Sequence, residues 1–302
     1  MPRPLRIGTR GSPLALWQAD YVAGLIRAAH GVDIEIVPIR TTGDQVQDRA
    51  LAEIGGKALW TKELDRALLA GDIDLAVHSM KDVETIRPAE IVIAAMPPRA
   101  DVRDKLVGAE SLAALPQGAR IGTASPRRAA QVRRARPDAQ ILLFRGNVDT
   151  RLRKLAEGEA DATLLAAAGL DRLGRSEVGV FMPVDVMLPA PAQGAIGIET
   201  LASNDDVRTL LEAIDHAPTS ACVRAERAFL EALGGDCHTP VAALAFAEGE
   251  LILLRAEILS EDGSEFEVGE VHFAAADTDA PGRLADTLLE RASPTLRGLF
   301  DG

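Results

Sequence analysis

The chain has 302 residues, 47% of them hydrophobic and 26% charged, with a formal net charge of −12. That length exceeds what one hydrophobic core serves, so two or three compact domains are expected of an ordinary globular composition. The acidic balance argues against general binding to nucleic acid or anionic membranes; no apolar run reaches membrane-spanning length and MPRPLRIGTR has no signal-peptide stretch, so a cytoplasmic protein is expected.

The first element is a short apolar strand, LRIGT, running into a helix with Ser12 as N-cap and Pro13 as its first residue. The same arrangement returns at ARIGT, with Ser125 and Pro126 in the equivalent places. A strand, a tight turn and a helix N-terminus form an anion site, because unpaired N–H groups and the positive end of the helix dipole face the ligand. A second echo follows each copy: GDIDLAV at 71–77 and GEADATL at 158–164 both come after amphipathic helical stretches and both read as strand entries. The chain therefore reads as two related α/β lobes with mainly parallel sheets facing each other across a cleft. IVIAAMPPRADVRD leaves the first lobe through a Pro-Pro hinge, and LPAPAQGAIGI is the return crossing. After Pro218 a helix, the loop GGDCHTP, three strands and a closing helix from about Gly282 form a smaller α+β unit.

From Arg120 to Lys154 there are ten basic residues against two acids, Asp138 and Asp149. Arg133, Arg134 and Arg136 read as a solvated helix face. The others make a candidate site for a small polyanion, since guanidinium matches carboxylate in a bidentate fork. In HSMKD, the polar run ending at Asp82 begins where a buried strand stops, at the functional edge of an open sheet. Asp82 is there either a turn residue or a counter-ion for a cationic intermediate. GGK at 55–57 is a plain surface loop or a lid carrying Lys57. Of the two cysteines, Cys222 falls on an apolar helix face and reads as core, whereas Cys237 follows a glycine stop on a loop, either inert or reactive. The five histidines show no ligand spacing, so no metal is expected, and there is no Walker loop or G-x-G-x-x-G fingerprint.

RIGTRGSPLALWQA, GGKALWTKEL, AVHSMKD, GTASPRRAAQ, RGNVDTRL, AAAGLDRLG, PAQGAIGIE and GGDCHTP, in that order, resemble the porphobilinogen deaminase family, also called hydroxymethylbilane synthases, over nearly the whole chain. The resemblance implies an α/β fold with two duplicated periplasmic-binding-protein-like lobes around a cleft plus a smaller α+β C-terminal domain. Its boundaries would be 1–97 with 194–217, then 98–193, then 218–302. It implies a transferase that joins four porphobilinogen units, with release of ammonia, into the linear tetrapyrrole hydroxymethylbilane on a covalent dipyrromethane cofactor. By motif, Cys237 carries that group through a thioether, with Lys81, Ser125, Arg127, Arg128 and Arg145 binding it. Arg10, Ser12, Lys57, Arg145, Arg151, Arg172 and Gln193 fall on substrate-binding positions, and Asp82 on the catalytic one. A monomer is expected, with a small-molecule substrate and neither nucleic acid nor membrane as partner.

Three positions depart from the commoner family wording: Asp236 for glycine before the cysteine, Pro126 for leucine, and Ala192 for glycine before Gln193. Two other classes suit parts of the pattern. A solute-binding protein would share duplicated lobes, but Asp82 and Cys237 together speak against it. A nucleic-acid module would use the arginine segment, but 3% aromatic content leaves little for base stacking.

Overall fold

The structure, a computed structural model, describes residues 3–41, 61–235 and 239–300. Lys57, Asp236 and Cys237 lie outside them.

The first lobe is built on β1 (Leu5–Arg10), α1 (Pro13–His30), β2 (Ile34–Ile39), α2 (Lys62–Leu69), β3 (Leu75–Ser79) and β4 (Ile91–Ala95). The second uses β5 (Asp104–Val107), β6 (Arg120–Gly122), α3 (Pro126–Ala135), β7 (Gln140–Leu142), α4 (Val148–Ala156), β8 (Ala162–Ala166), α5 (Ala167–Arg172) and β9 (Val180–Phe181). The chain then returns to the first lobe with β10 (Ile196–Leu201) and α6 (Asp205–Glu212). The sheet orders are β2-β1-β3-β10-β4 and β7-β6-β8-β5-β9. In each, one strand runs antiparallel to its neighbours, and it is the strand arriving from the other lobe: β10 against β3 and β4, β5 against β8 and β9. The expectation of duplicated, mainly parallel lobes holds, and the exchange of strands explains the two crossings.

The sequence echoes have physical causes. Arg6 and Arg120 each donate a backbone N–H to an aspartate at the entry of the third strand, Asp74 at 2.9 Å and Asp161 at 2.7 Å, and each adds an ion pair. The repeated glycine allows close approach. A Cβ on Gly8 would stand 2.3 Å from Ile73 Cδ1, and one on Gly122 2.3 Å from Phe144 Cδ2.

The third unit packs α7 (Ala217–Ala232) and α8 (Ala280–Arg291) on the antiparallel sheet β11 (Val241–Glu248), β12 (Leu251–Leu259), β13 (Phe266–Ala274), with α9 (Pro294–Arg297) closing it. Cys222 sits in this core with Phe229, Leu254 and Leu288, as its helical spacing predicts. Burial and the nearby Glu226 push its thiol up to about 11.

The arginines expected on a solvated face of α3 are not free. Arg134 pairs with Glu257 on β12 and lies over the Phe266 ring at 4.7 Å, while Arg133 donates to Glu261 O at 2.8 Å. Arg136 donates to the carbonyls of Leu112, Leu115 and Pro116. Helical periodicity marked the face but not the sheet that covers it. Gly263 fits there because a side chain would meet Ala130 O at 2.3 Å.

Candidate active site

Both Ser-Pro turns form as expected. Ser12 Oγ accepts from Ala15 N–H at 3.3 Å and Ser125 Oγ from Arg128 N–H at 3.4 Å, with proline at the first helical position each time. The two helix N-termini open onto one cleft of about 1380 Å³ between the lobes. Arg10, Ser12, Lys81, Asp82, Ser125, Arg127, Arg128, Arg145, Arg151, Arg172 and Gln193 all line it. The wall continues through Gly234, Gly235 and Thr239, which flank residues 236–238.

Asp82 ends a single 3-10 turn, Met80–Asp82, directly after β3. Its negative charge acts on two cations, partly opposing the lowering of the Lys81 and Arg151 pKa values. It makes no hydrogen bond or ion pair among the described residues. The cations around it are crowded. Burial and then the charge of Arg128 bring Lys81 down to about 8, and the same two causes bring Arg151 down to about 10. Burial likewise lowers Arg172 to about 10; it donates to Gly194 O at 2.7 Å and stands 5.8 Å over the Trp17 ring. Arg151 bonds the Gly146 carbonyl through Nε at 3.0 Å and lines the cavity. Such a wall favours a polyanion, because a ligand carboxylate relieves the mutual repulsion.

Behind this layer, Arg127 and Arg128 are held by a buried carboxylate. Asp104 Oδ2 accepts from Arg127 at 2.8 Å and Oδ1 from Arg128 at 2.7 Å. Arg127 also donates to Gln131 and Leu188 O, and Arg128 to Leu164 O. The Nε groups of both remain buried without a partner among the described residues. Gln193, expected against substrate, lines the cleft and is 0% exposed. Its amide donates to Val102 O and Asp104 and accepts from Lys81, so it braces the wall from behind.

Sequence reasoning missed Asp104, which nothing in RADVRD distinguishes from the neighbouring aspartate. It also missed the bracing of the turn after Asp82. Arg227 on α7 donates to the carbonyls of Val83, Glu84 and Thr85, and Thr85 Oγ1 donates to Gly235 O at 3.2 Å. Arg87 closes the other side against Asp65, Glu84 and Glu199.

The family described as porphobilinogen deaminase, dipyromethane cofactor binding domain, matches residues 5–209, and its C-terminal domain matches residues 220–290. The porphobilinogen deaminase of Sphingopyxis alaskensis is 57% identical over 98% of this chain and 96% of its own. The chain belongs to the porphobilinogen deaminase family. That of Paracoccus denitrificans is 52% identical over 96% and 95%. Among solved structures, immunogenic lipoprotein A from Vibrio vulnificus is similar at 12% identity and a TM-score of 0.44, covering 74% of this chain and 99% of that one.

Porphobilinogen deaminases of this description bind dipyrromethane, and the residues present fit such a group. Its carboxylates need cationic donors, and the cleft offers Lys81, Arg128 and Arg151 beside orphaned guanidinium N–H groups. No cluster of metal-ligating side chains occurs among the described residues.

Proposed function

We infer that this cleft assembles hydroxymethylbilane from four porphobilinogen units, releasing ammonia at each addition, in porphyrin biosynthesis. The observation that carries this reading is Asp82, a carboxylate without a protein partner among the described residues, set among cations in a cleft whose wall includes Gly235 and Thr239, which flank residues 236–238 in sequence.

Each pyrrole bears an acetate and a propionate, so both primer and growing chain are polyanionic. Lys81, Ser125, Arg127, Arg128 and Arg145 are assigned to the cofactor side, with Cys237 as its covalent anchor. Arg10, Ser12, Arg145, Arg151, Arg172 and Gln193 are assigned to the incoming substrate, and Lys57 to the same role. When bound, dipyrromethane supplies a pyrrole α-carbon as nucleophile. Asp82 stabilises the positive charge left on porphobilinogen as ammonia departs, and its oxygens can hold the proton released by coupling. The cations hold the carboxylates away from Asp82, so its charge stays available to the reacting methylene.

The same reading divides the chain at 1–97 with 194–217, 98–193 and 218–302, in keeping with the strand exchange between the lobes. It takes the protein as a cytoplasmic monomer; no described helix is long and apolar enough to cross a membrane.

Intact mass tests the proposal. Purified protein is expected to exceed its sequence mass by two porphobilinogen units less ammonia. Cys237→Ala removes the increment, and Cys222→Ala, at a thiol pushed up to about 11 in the core, keeps it. An unmodified mass after expression with normal tetrapyrrole synthesis overturns the assignment.

A further inference from the structure

A chain of buried polar contacts crosses all three units of the molecule and ends at the catalytic turn. It starts on the third unit, where Glu257 of β12 accepts from Gln131 Nε2 at 2.8 Å. Gln131 Oε1 accepts from Arg127 at 3.0 Å, and Arg127 donates on to Asp104 at 2.8 Å. Asp104 also takes Arg128 at 2.7 Å and Gln193 Nε2 at 2.9 Å. Gln193 Oε1 then accepts from Lys81 Nζ at 3.4 Å, on the residue next to Asp82. Asp104 and Gln193 are 0% exposed, and Arg127, Arg128 and Gln131 are each below 5%.

The amide of Gln193 has one consistent orientation. Its Nε2 is taken by Val102 O and Asp104, both acceptors, so Oε1 must face the ammonium. Asp104 is the only acid in the chain of contacts that meets both cofactor-side arginines. Burial alone would raise its pKa, but the two guanidiniums hold it well below the usual carboxylate range, so it stays charged. Lys81 is faced by Arg127 and Arg128 from α3, by Asp104 from β5 and by Asp82 from its own turn. Two charges keep it protonated and two oppose them.

We propose that Asp104, acting through Gln193, is a positioning residue that keeps Lys81 charged and aimed at the cofactor side of the cleft while fixing Arg127 and Arg128 beside it. It touches no reacting atom. Its charge leaves the wall with the surplus a polycarboxylate needs rather than with three mutually repelling cations, and the Gln193 bridge ties that wall to Asp82 across the gap between lobes. The proposal rests on the reading of the cleft given above.

The test compares full-length wild type, Asp104→Asn and Gln193→Met in turnover against pH, with intact mass and thermal unfolding measured in parallel. For Asp104→Asn, the alkaline limb of kcat/KM is expected to move to lower pH by about one unit, the effect of withdrawing a nearby opposite charge. Gln193→Met leaves that charge in place but removes the bridge. It is expected to lower kcat at least about fivefold, with KM within about twofold and the cofactor mass retained. If Asp104→Asn does not fold, the kcat against KM split of Gln193→Met decides alone. An alkaline limb unmoved in folded Asp104→Asn, or an unchanged kcat in Gln193→Met, overturns the proposal. Wild-type protein lacking the two-ring increment would instead overturn the underlying reading of the cleft, whatever the variants do.

Discussion

Glu226 receives both terminal nitrogens of Arg99, at 2.6 and 2.9 Å, and so joins three parts of the molecule that share no sheet. Arg99 lies on the outgoing crossing between lobes and also donates Nε to Gln193 O at 2.8 Å on the return crossing. Glu226, on α7 of the third unit, accepts in addition from the backbone N–H of Ala192 at 2.6 Å and of Ala245 at 2.7 Å. Its carboxylate is fully buried with every bond directed. The arrangement holds Ala192 in the left-handed region, φ 62, where a side chain is disfavoured. The commoner glycine at that position would meet the same demand without strain.

Removing one partner of such a pair leaves a buried charge uncompensated. Glu226→Ala is expected to destabilise the protein by about 3 to 5 kcal/mol. Urea unfolding is the measurement, and Glu226→Gln, which keeps the shape and one acceptor, should lose less. A loss below about 1 kcal/mol for Glu226→Ala would mean that the crossings hold together without it.

Asp82→Asn should keep the fold and most of the ligand binding while losing nearly all turnover. Asparagine matches the shape but cannot offset the cation formed as ammonia leaves. Preorganised charge of this kind is worth about 2.7 to 4 kcal/mol, or roughly a hundred- to a thousandfold in rate. Hydroxymethylbilane formation gives the rate and circular dichroism the folding control. Turnover within a few-fold of wild type would reduce Asp82 to a turn residue.

The fold was legible because its repeat is local. The RIGT strand and the Ser-Pro cap are each fixed by neighbours in sequence and each recurs, whereas the strand-entry aspartates, bound by arginines 68 and 41 residues away, were legible only as a repeated sequence echo. The cleft cations were legible for the same reason, lying where strands end and helices begin. Asp104 and Glu226 were not, because their meaning comes from partners 19 to 127 residues away. The buried partners of Gln193, 89 to 112 residues away, were missed for the same reason, and the Arg133 and Arg134 face of α3 was read as solvated because Glu257 and Glu261 reach it only in three dimensions.

That misreading of α3 gives a contrast between two arginines of one segment. Arg134 is paired with Glu257 across the boundary with the third unit, whereas Arg153 makes an exposed i,i+4 pair with Glu157. Arg134→Met is expected to cost about 1.5 to 3 kcal/mol, the range for hydrogen bonds to charged groups. Arg153→Ala should stay within about 0.5 kcal/mol. Equal effects in urea unfolding would show that the α3 contact with β12 carries no stability.

The pH dependence of ligand binding follows from Lys81. Its pKa is about 8 in the free cleft, against an ordinary lysine value of 10.5, with burial as the leading cause and Arg128 the next. The folded value lies below the unfolded one, so between pH 8 and 10.5 the unfolded chain binds more protons, and this group's contribution makes the ligand-free protein relatively more stable as pH rises through that window. A carboxylate ligand reverses the preference, since it favours the ammonium, so binding must take up a proton above about pH 8 and weakens there. Cys237→Ala protein, which lacks the anchor and so leaves the cleft open to added ligand, isolates the effect. The rise in Tm produced by porphobilinogen is expected to be clearly smaller at pH 9 than at pH 7, and Lys81→Met should show a smaller rise that no longer depends on pH across that interval. An equal stabilisation of the Cys237→Ala protein at both pH values would mean that Lys81 does not face the bound carboxylates.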